Sequence, residues 1–205
     1  MAIKTSRRIF KLIVFILCLV PLGWLVFALY SDTNFGTHYM TVDPVQKLDR
    51  ELGNWALILI ITTLAIRPVS ELSSSRDMID YRRMIGLFAF FYALLHVSSY
   101  LGINLQFEVA AFIKDVVKRN YITVGIITFI LLTPLAVTSS KKMIKRLGGR
   151  NWRKLHRLIY VIAILGVFHF TMMIRADFTR PIIYGTLVAL LLGYRYWRQV
   201  RNSIQ

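Results

Sequence analysis

Cysteine is nearly absent from this sequence, in which Cys18 is the only one among 205 residues. One cysteine cannot form an internal disulfide, and the lack of a CxxC pair excludes the usual iron–sulfur and structural zinc sites. Acidic residues are also scarce, with 10 of them against 26 lysines and arginines, and they are confined to the segments between apolar runs. The chain has no GxGxxG motif and no internal repeat, so nothing in it indicates a soluble flavin or nucleotide domain.

Long apolar runs are what the sequence does contain. Hydrophobic residues make up 56% of the chain and the mean hydropathy is +0.56, which is too apolar for a soluble domain of this size. The first run, Ile9 to Tyr30, is longer than a signal-peptide core and lacks a small-residue cleavage pattern, so we expect it to be a retained span. The pattern predicts an all-α integral membrane protein, a single domain over residues 1–205 that forms a six-helix bundle. The predicted transmembrane spans are 9–30, 53–70, 84–103, 121–140, 157–175 and 181–197.

Basic residues lie mostly on one side of these spans. With the N-terminus inside, the outer loops hold equal numbers of basic and acidic residues, so the whole net charge of +16 falls on the inner segments. The positive-inside rule then places both termini in the cytoplasm. The inner loop KKMIKRLGGRNWRKLHR is interpreted as a topology determinant and an anionic-lipid contact, and its placement excludes nucleic-acid binding. In the first outer loop, Asp43-Pro44 predicts a turn into a short amphipathic helix on the outer surface.

Histidines within the apolar spans are the main functional signal, because an ionisable side chain at membrane depth normally marks a cofactor or an ion path. His96 and His169 each lie twelve or thirteen residues beyond the inner end of their span, about 18–20 Å up the helix. Two imidazoles at one depth on different helices favour a bis-histidine haem held between helices of the bundle. Gly166, one turn before His169, would let a flat macrocycle approach. Ser99 and Tyr100, one turn after His96, are placed to orient its ring or to reach a haem propionate.

His156 lies at the inner boundary, thirteen residues before His169, which is about 20 Å along a helix and about 140° around it. It is level with Arg82 and Arg83 rather than with a fourth histidine. Two interpretations stay open for it: a ligand of an inner cofactor, or an interfacial residue with no ligand role. Arg82 and Arg83 are either anchors at the inner face or binders of a haem propionate or a flavin phosphate. His38, in a polar loop, is expected to be solvated.

Three stretches carry a family resemblance: YRRMIGLFAFFYALLHVSSY, YITVGIITFILLTPLAVTS and LGGRNWRKLHRLIYVIAILGVFHF. Together with DPVQKL and the last span, they resemble the MsrQ (YedZ) family of haem-binding membrane subunits, within the ferric-reductase-like transmembrane superfamily. The resemblance implies a b-type haem and transfers the role of haem ligand to His96, His156 and His169. The superfamily's four-histidine pattern is interrupted at Arg82 and Arg83, so two complete bis-histidine haems are not implied.

The same resemblance implies FMN as a second cofactor and a location in the inner membrane of a Gram-negative bacterium. Electrons would come from the quinone pool or a cytosolic flavin reductase. They would pass to MsrP, the periplasmic, molybdopterin-containing methionine sulfoxide reductase that repairs oxidised proteins. The chain is then an electron-transfer subunit rather than a complete enzyme, since the short outer loops hold no substrate-reducing site.

Two alternatives follow from the residues alone. The first is a proton-coupled membrane transporter that uses the histidines as a relay, but the spans lack acidic residues and do not form two matching halves with broken helices. The second is a plain membrane anchor, which would need no histidines at matched depth. An absorbance spectrum separates both from a haem protein.

Overall fold

Helices make up the regular structure of the described part of the chain. The computed structural model describes residues 2–73 and 76–204, and no strand occurs in them. The α-helices are α1 (Ala2–Phe35), α2 (Pro44–Leu72), α3 (Arg82–Ser99), α4 (Val109–Lys118), α5 (Asn120–Val137), α6 (Lys141–Leu147), α7 (Gly149–Leu155), α8 (Leu158–Met173) and α9 (Thr179–Ile204). A 3₁₀ turn, Arg76–Tyr81, precedes α3, and a π-helical turn, Tyr100–Asn104, follows it.

Each of the six predicted spans corresponds to a helix, and the all-α membrane fold is confirmed. Among the described residues, five helical stretches are long and apolar enough to cross a membrane: Arg8–Phe35, Pro44–Leu72, Asp77–Asn104, Asn120–Val137 and Gly149–Met173. α9 covers the sixth predicted span but is more polar, because Arg195, Arg198 and Arg201 lie in its last third. Successive long helices alternate in direction. The bundle therefore has a basic end, which holds α6 and α7, and an opposite end, which holds α4.

α2 lies at the centre of the bundle and supplies many of its buried side chains. It packs against α1, α3, α8 and α9, while α5 packs against α3 and α8. Helices α2, α3, α5 and α8 thus form a ring in which α3 and α8 are diagonally opposite, the arrangement in which four-helix bundles hold cofactors. The fully buried Leu64, Tyr92 and Ile162 lie on α2, α3 and α8. Large apolar side chains on the outward faces of α1, α5 and α8 remain exposed, as contact with lipid requires.

The separate surface helix predicted after Asp43 is wrong, because the membrane-spanning α2 itself begins there. The Asp43 side chain caps it by accepting a hydrogen bond from the Gln46 amide at 2.9 Å. Pro44 occupies the first turn, where its missing N–H costs nothing. No further proline interrupts α2 before Pro68, so its amphipathic first turns continue directly into the apolar span. The amphipathic surface helix at this end of the bundle is α4.

His156 and His169 do not lie on one continuous helix, contrary to the spacing assumed from the sequence. α7 ends just before His156, and α8 begins two residues after it. At this joint the Arg157 amide bonds to the carbonyl of Lys154, three residues back, which tightens the chain and ends the α-helical ladder. The helical phase is reset at the joint, so the predicted offset of about 140° between the two histidines does not apply.

Candidate functional site

His96 and His169 meet inside the ring of helices, towards its opposite end. His96 comes from α3 and His169 from α8, and the centroids of their imidazole rings are 6.3 Å apart with the ring planes at 70°. The structure therefore brings together the two histidines that the sequence placed at matched depth. His156 lies away from them at the basic end, and His38 is exposed in the loop after α1.

Both rings are oriented by a backbone carbonyl of a neighbouring helix. The Nδ1 atom of His96 lies 2.8 Å from the carbonyl oxygen of Asp49 on α2, and Nδ1 of His169 lies 2.7 Å from the carbonyl oxygen of Tyr121 on α5. A carbonyl oxygen only accepts, so each Nδ1 carries the proton and donates. Each Nε2 therefore keeps its lone pair, which is the arrangement found in metal-binding histidines.

A glycine backs each imidazole. Gly53 lies one turn after Asp49, and an added Cβ there would come within 3.2 Å of His96 Cε1. Gly125 lies one turn after Tyr121, and an added Cβ there would come within 2.7 Å of His169 Cε1. The two histidines thus dock in the same way: the ring lies over a glycine, and Nδ1–H reaches the carbonyl of the residue four positions earlier.

The sequence reasoning missed these two glycines, although each is isolated within an apolar helix, a pattern that indicates close approach of another group. It selected Gly166 instead. In the structure an added Cβ at Gly166 would meet the buried Leu57 side chain at 3.2 Å, so this glycine lets α8 approach α2.

The donor set suits a haem better than a bare metal ion. Structural metal sites use four or more ligands, and the described residues contain no group of three or more His, Cys, Asp or Glu side chains that could hold an ion. Haem brings four nitrogens of its own and needs only axial ligands. With metal–imidazole bonds of about 2 Å, two axial imidazoles place their ring centroids about 6 Å apart, close to the observed 6.3 Å. The residues present fit the group.

The Ser99 and Tyr100 hydroxyls do not hydrogen-bond to the His96 ring, so the first of their two predicted roles is wrong, while contact with a haem propionate stays a prediction. The Tyr100 hydroxyl donates to the Asp115 carboxylate of α4 at 2.5 Å. The Ser99 hydroxyl is buried and has no hydrogen-bond partner among the described residues. Tyr100 therefore joins α4 to the end of α3 instead of serving the imidazole.

His156 is held differently from His96 and His169. Its Nε2 lies 3.2 Å from the Thr138 hydroxyl oxygen, and that hydroxyl gives its one proton to the Pro134 carbonyl at 2.6 Å. His156 Nε2–H is therefore the donor in the contact with Thr138. The ring also packs on Trp152, with centroids 4.0 Å apart. The structure thus places His156 at the basic end, with the nitrogen that faces α5 already hydrogen-bonded.

Arg82 and Arg83 are neighbours in sequence but have different surroundings. Arg83 is exposed at the start of α3, whereas Arg82 is half-buried and its charge acts on the His156 ring. Among the described residues, no ion pair neutralises Arg82. The structure thus brings the half-buried Arg82 within electrostatic range of His156 and leaves the neighbouring Arg83 exposed.

Arg195 on α9 is a second cation in this region, and the sequence reasoning counted it only as inner charge. It donates to the Tyr160 hydroxyl at 2.6 Å and to the Leu64 carbonyl at 3.0 Å. It also lies within electrostatic range of Arg82. The basic end of the bundle thus carries partly buried positive charge beside His156. Arg195 carries no periodic or motif signal that could have distinguished it from the other arginines of α9.

Comparison with known proteins gives a consistent result. Residues 51–167 match the family described as ferric reductase like transmembrane component. The chain is 41% identical over 200 residues to the protein-methionine-sulfoxide reductase heme-binding subunit MsrQ of Rhodospirillum rubrum, covering 98% of this chain and 93% of that protein. It is 46% identical to the MsrQ of Herminiimonas arsenicoxydans, covering 94% and 87% of the two chains. The MsrQ of Caulobacter vibrioides is 40% identical, with 93% and 88% covered. The chain therefore belongs to the MsrQ family, within the ferric reductase like transmembrane proteins.

Proposed function

We propose that this protein is a b-type haem electron-transfer subunit that carries electrons across the bacterial inner membrane to the periplasmic methionine sulfoxide reductase MsrP. The relatives are named as heme-binding subunits of a protein-methionine-sulfoxide reductase, and they align with nearly the whole chain. The transmembrane family match supports the same type of function. The chain acts as one component of an oxidoreductase, and the reduction of methionine sulfoxide takes place on its partner.

The pairing of His96 and His169 is the observation that carries the proposal. Two imidazoles converge at a separation that suits one iron between them, each with Nδ1–H bonded to a carbonyl and with Nε2 unbonded within the part of the chain that the structure describes. Bound haem supplies one-electron chemistry at its iron. The chain would supply an imidazole nitrogen from each of His96 and His169 to hold the haem, the carbonyls that fix their tautomers, the glycines that let the rings approach α2 and α5, and an apolar bundle that excludes water.

At the basic end, His156 with Arg82 and Arg83 forms the region that we propose for a second, electron-accepting cofactor. The charge of Arg82 acts on His156, and no ion pair within the described residues neutralises it, so it suits an anionic group such as a flavin phosphate or a haem propionate. FMN belongs to this proposal, with the quinone pool or a cytosolic flavin reductase as the donor. Arg83 is exposed, so it would contact only groups at the protein surface. Such a group could belong to the cofactor, to the electron donor or to a lipid headgroup.

The charge distribution supports a cytoplasmic location for the basic end and for both termini. α6 and α7 carry the longest basic run of the chain, which the positive-inside rule assigns to the cytoplasm and which suits contact with anionic lipid. His96 and His169 then lie in the periplasmic half of the bundle, on the side where MsrP works. Reporter fusions in the loop 36–43 and after α9 test this: the first should report the periplasm and the second the cytoplasm.

Nothing favours the proton-coupled transporter. The paired histidines bond to backbone carbonyls and not to titratable side chains, and His156 is separated from them by most of the length of α8.

The proposed function is tested by following electron flow in a reconstituted system. Purified protein, reduced with dithionite and freed of excess reductant, is mixed with MsrP and a methionine sulfoxide peptide while the haem α-band is recorded. We expect the reduced band to decay only when MsrP and the peptide are both present. A band that persists with both present, or a protein that purifies without haem from haem-sufficient cells, would contradict the proposal.

A further inference from the structure

Asp49 lies against His96, and its carboxylate makes contacts there that haem binding by the two histidines does not itself require. Its backbone carbonyl accepts the His96 Nδ1 proton, and its side chain carries a charge that acts on the same ring. One carboxylate oxygen, Oδ2, bonds to the Asn104 side-chain amide. The other, Oδ1, is buried and has no hydrogen-bond partner in the part of the chain that the structure describes.

The negative charge of Asp49 is not neutralised within the described residues. The ion pairs found there join Glu71 to Arg67 and Arg198, and Asp115 to Arg119, and none includes Asp49. Its one polar side-chain partner, Asn104, is uncharged. A partly buried charge is screened less than one in water, so its field at a site a few ångströms away is strong.

The π-helical turn at the end of α3 holds this carboxylate in place. Asn104 is the last residue of that turn, and its amide reaches back to α2, while His96 lies two turns earlier on the same helix. Asp49 is thus contacted twice, by the imidazole of α3 and by the amide of the π-helical turn that follows α3.

We infer that Asp49 is a positioning residue whose carboxylate sets the reduction potential of the metal centre held by His96 and His169. This inference rests on the haem of the proposed function. Oxidised haem carries one more positive charge than reduced haem, so a fixed negative charge beside the axial ligand stabilises the oxidised form and lowers the potential. A lower potential makes the centre a stronger electron donor towards an acceptor on the periplasmic side.

The test is an equilibrium redox titration of the purified holoprotein, followed by the haem α-band. Asp49→Asn removes the charge and keeps the side-chain size and the backbone carbonyl that orients His96. We expect its midpoint potential to shift upwards, with haem content and the oxidised spectrum as in the wild type. Asp49→Glu, which restores the charge, should shift the potential back towards the wild-type value.

Glu108→Gln is the matched control, because it removes an exposed carboxylate at the same end of the bundle; its potential should equal that of the wild type. If Asp49→Asn loses haem, Asp49→Ser replaces it in the titration, since it also removes the charge and keeps the carbonyl. An unchanged or lower potential in the haem-loaded neutral variant overturns the inference and leaves haem binding intact. A wild-type protein without haem overturns the proposed function as well, so the two failures are distinguishable.

Discussion

At the scale of single residues, the two glycines behind the imidazoles set how closely the rings approach α2 and α5. We expect Gly125→Ala to reduce haem affinity by about tenfold or more, the range seen when groups that orient a metal ligand are disturbed. Its Cβ would lie 2.7 Å from His169 Cε1, a contact that the ring can relieve only by moving. Gly53→Ala should have a smaller effect, because the corresponding distance to His96 is 3.2 Å. The measurement is the ratio of haem to protein after titration with haemin.

Gly193→Ala is the control for this pair, since an added Cβ there meets nothing within 4 Å. It should bind haem as the wild type does. Full haem affinity in Gly125→Ala would show that the His169 ring is not held where the structure places it.

At the scale of helices, Tyr92 joins α1 to α3. Its hydroxyl donates to the Cys18 carbonyl at 2.8 Å and accepts from the Leu22 amide at 3.1 Å. It therefore lies between two backbone groups of α1 that would otherwise bond to each other directly. Tyr92→Phe removes both hydrogen bonds and should lower the free energy of unfolding by about 1 kcal/mol. The loss is no larger because the freed carbonyl and amide can bond to each other again within α1. Thermal unfolding in detergent should show a lower Tm with an unchanged haem spectrum.

Tyr30→Phe on α1 is the control for Tyr92→Phe, because Tyr30 is exposed and its change should leave the Tm unaltered. Equal Tm values for the two variants would mean that the Tyr92 hydroxyl does not tie α1 to the bundle.

α4 is the element whose environment can be tested most simply. Val109, Ile113 and Val117 form one apolar row on its outer side, and Val117 is 76% exposed, whereas Lys114 and Lys118 lie on the adjacent row. A helix of this kind between two spans is expected to lie in the lipid–water interface. In liposomes, a spin label at Val117→Cys should therefore be more accessible to oxygen than to a water-soluble nickel complex.

The same label at Lys118→Cys, one residue on, is the control for Val117→Cys and should show the reverse preference. Both variants are made in a Cys18→Ser background. A preference for the nickel complex at both positions would place α4 in water.

The sequence predicted the helices well where apolar length decides the outcome, and the detail poorly where tertiary contacts decide it. The spans and the meeting of His96 and His169 follow from apolar runs and from helix rise. The carbonyls that receive the imidazole protons could not be predicted, because they depend on how α2 and α5 are rotated about their axes. The break after His156 was missed for a similar reason, since nothing in LHRLIY disfavours a helix locally.

At the scale of the whole molecule, His156 and the paired histidines lie at different levels of one bundle, which suits entry of electrons at the basic end and exit at the other. We expect His156→Ala to keep the haem spectrum of the His96–His169 pair and to slow haem reduction by a reduced flavin donor. Reduction should slow because His156 and Arg82 lie where we propose that the electron-accepting cofactor binds. Stopped-flow absorbance measures the rate.

Wild-type reduction rates in His156→Ala would make His156 a residue of the interface between α5 and α7, as its contact with Thr138 alone would suggest. Loss of all haem would make it a primary ligand. Either result would overturn this division between the two ends of the bundle.

The central claim is that one haem is held between His96 and His169, and electron paramagnetic resonance of the oxidised, purified protein tests it most directly. The wild type should give a low-spin ferric signal, as two imidazole ligands produce, and a Soret band at a fixed ratio to protein. His96→Ala and His169→Ala should each lose that low-spin signal while the protein stays folded in the membrane, because one imidazole alone leaves an axial position open. Either variant retaining the full wild-type signal and haem content would contradict the account.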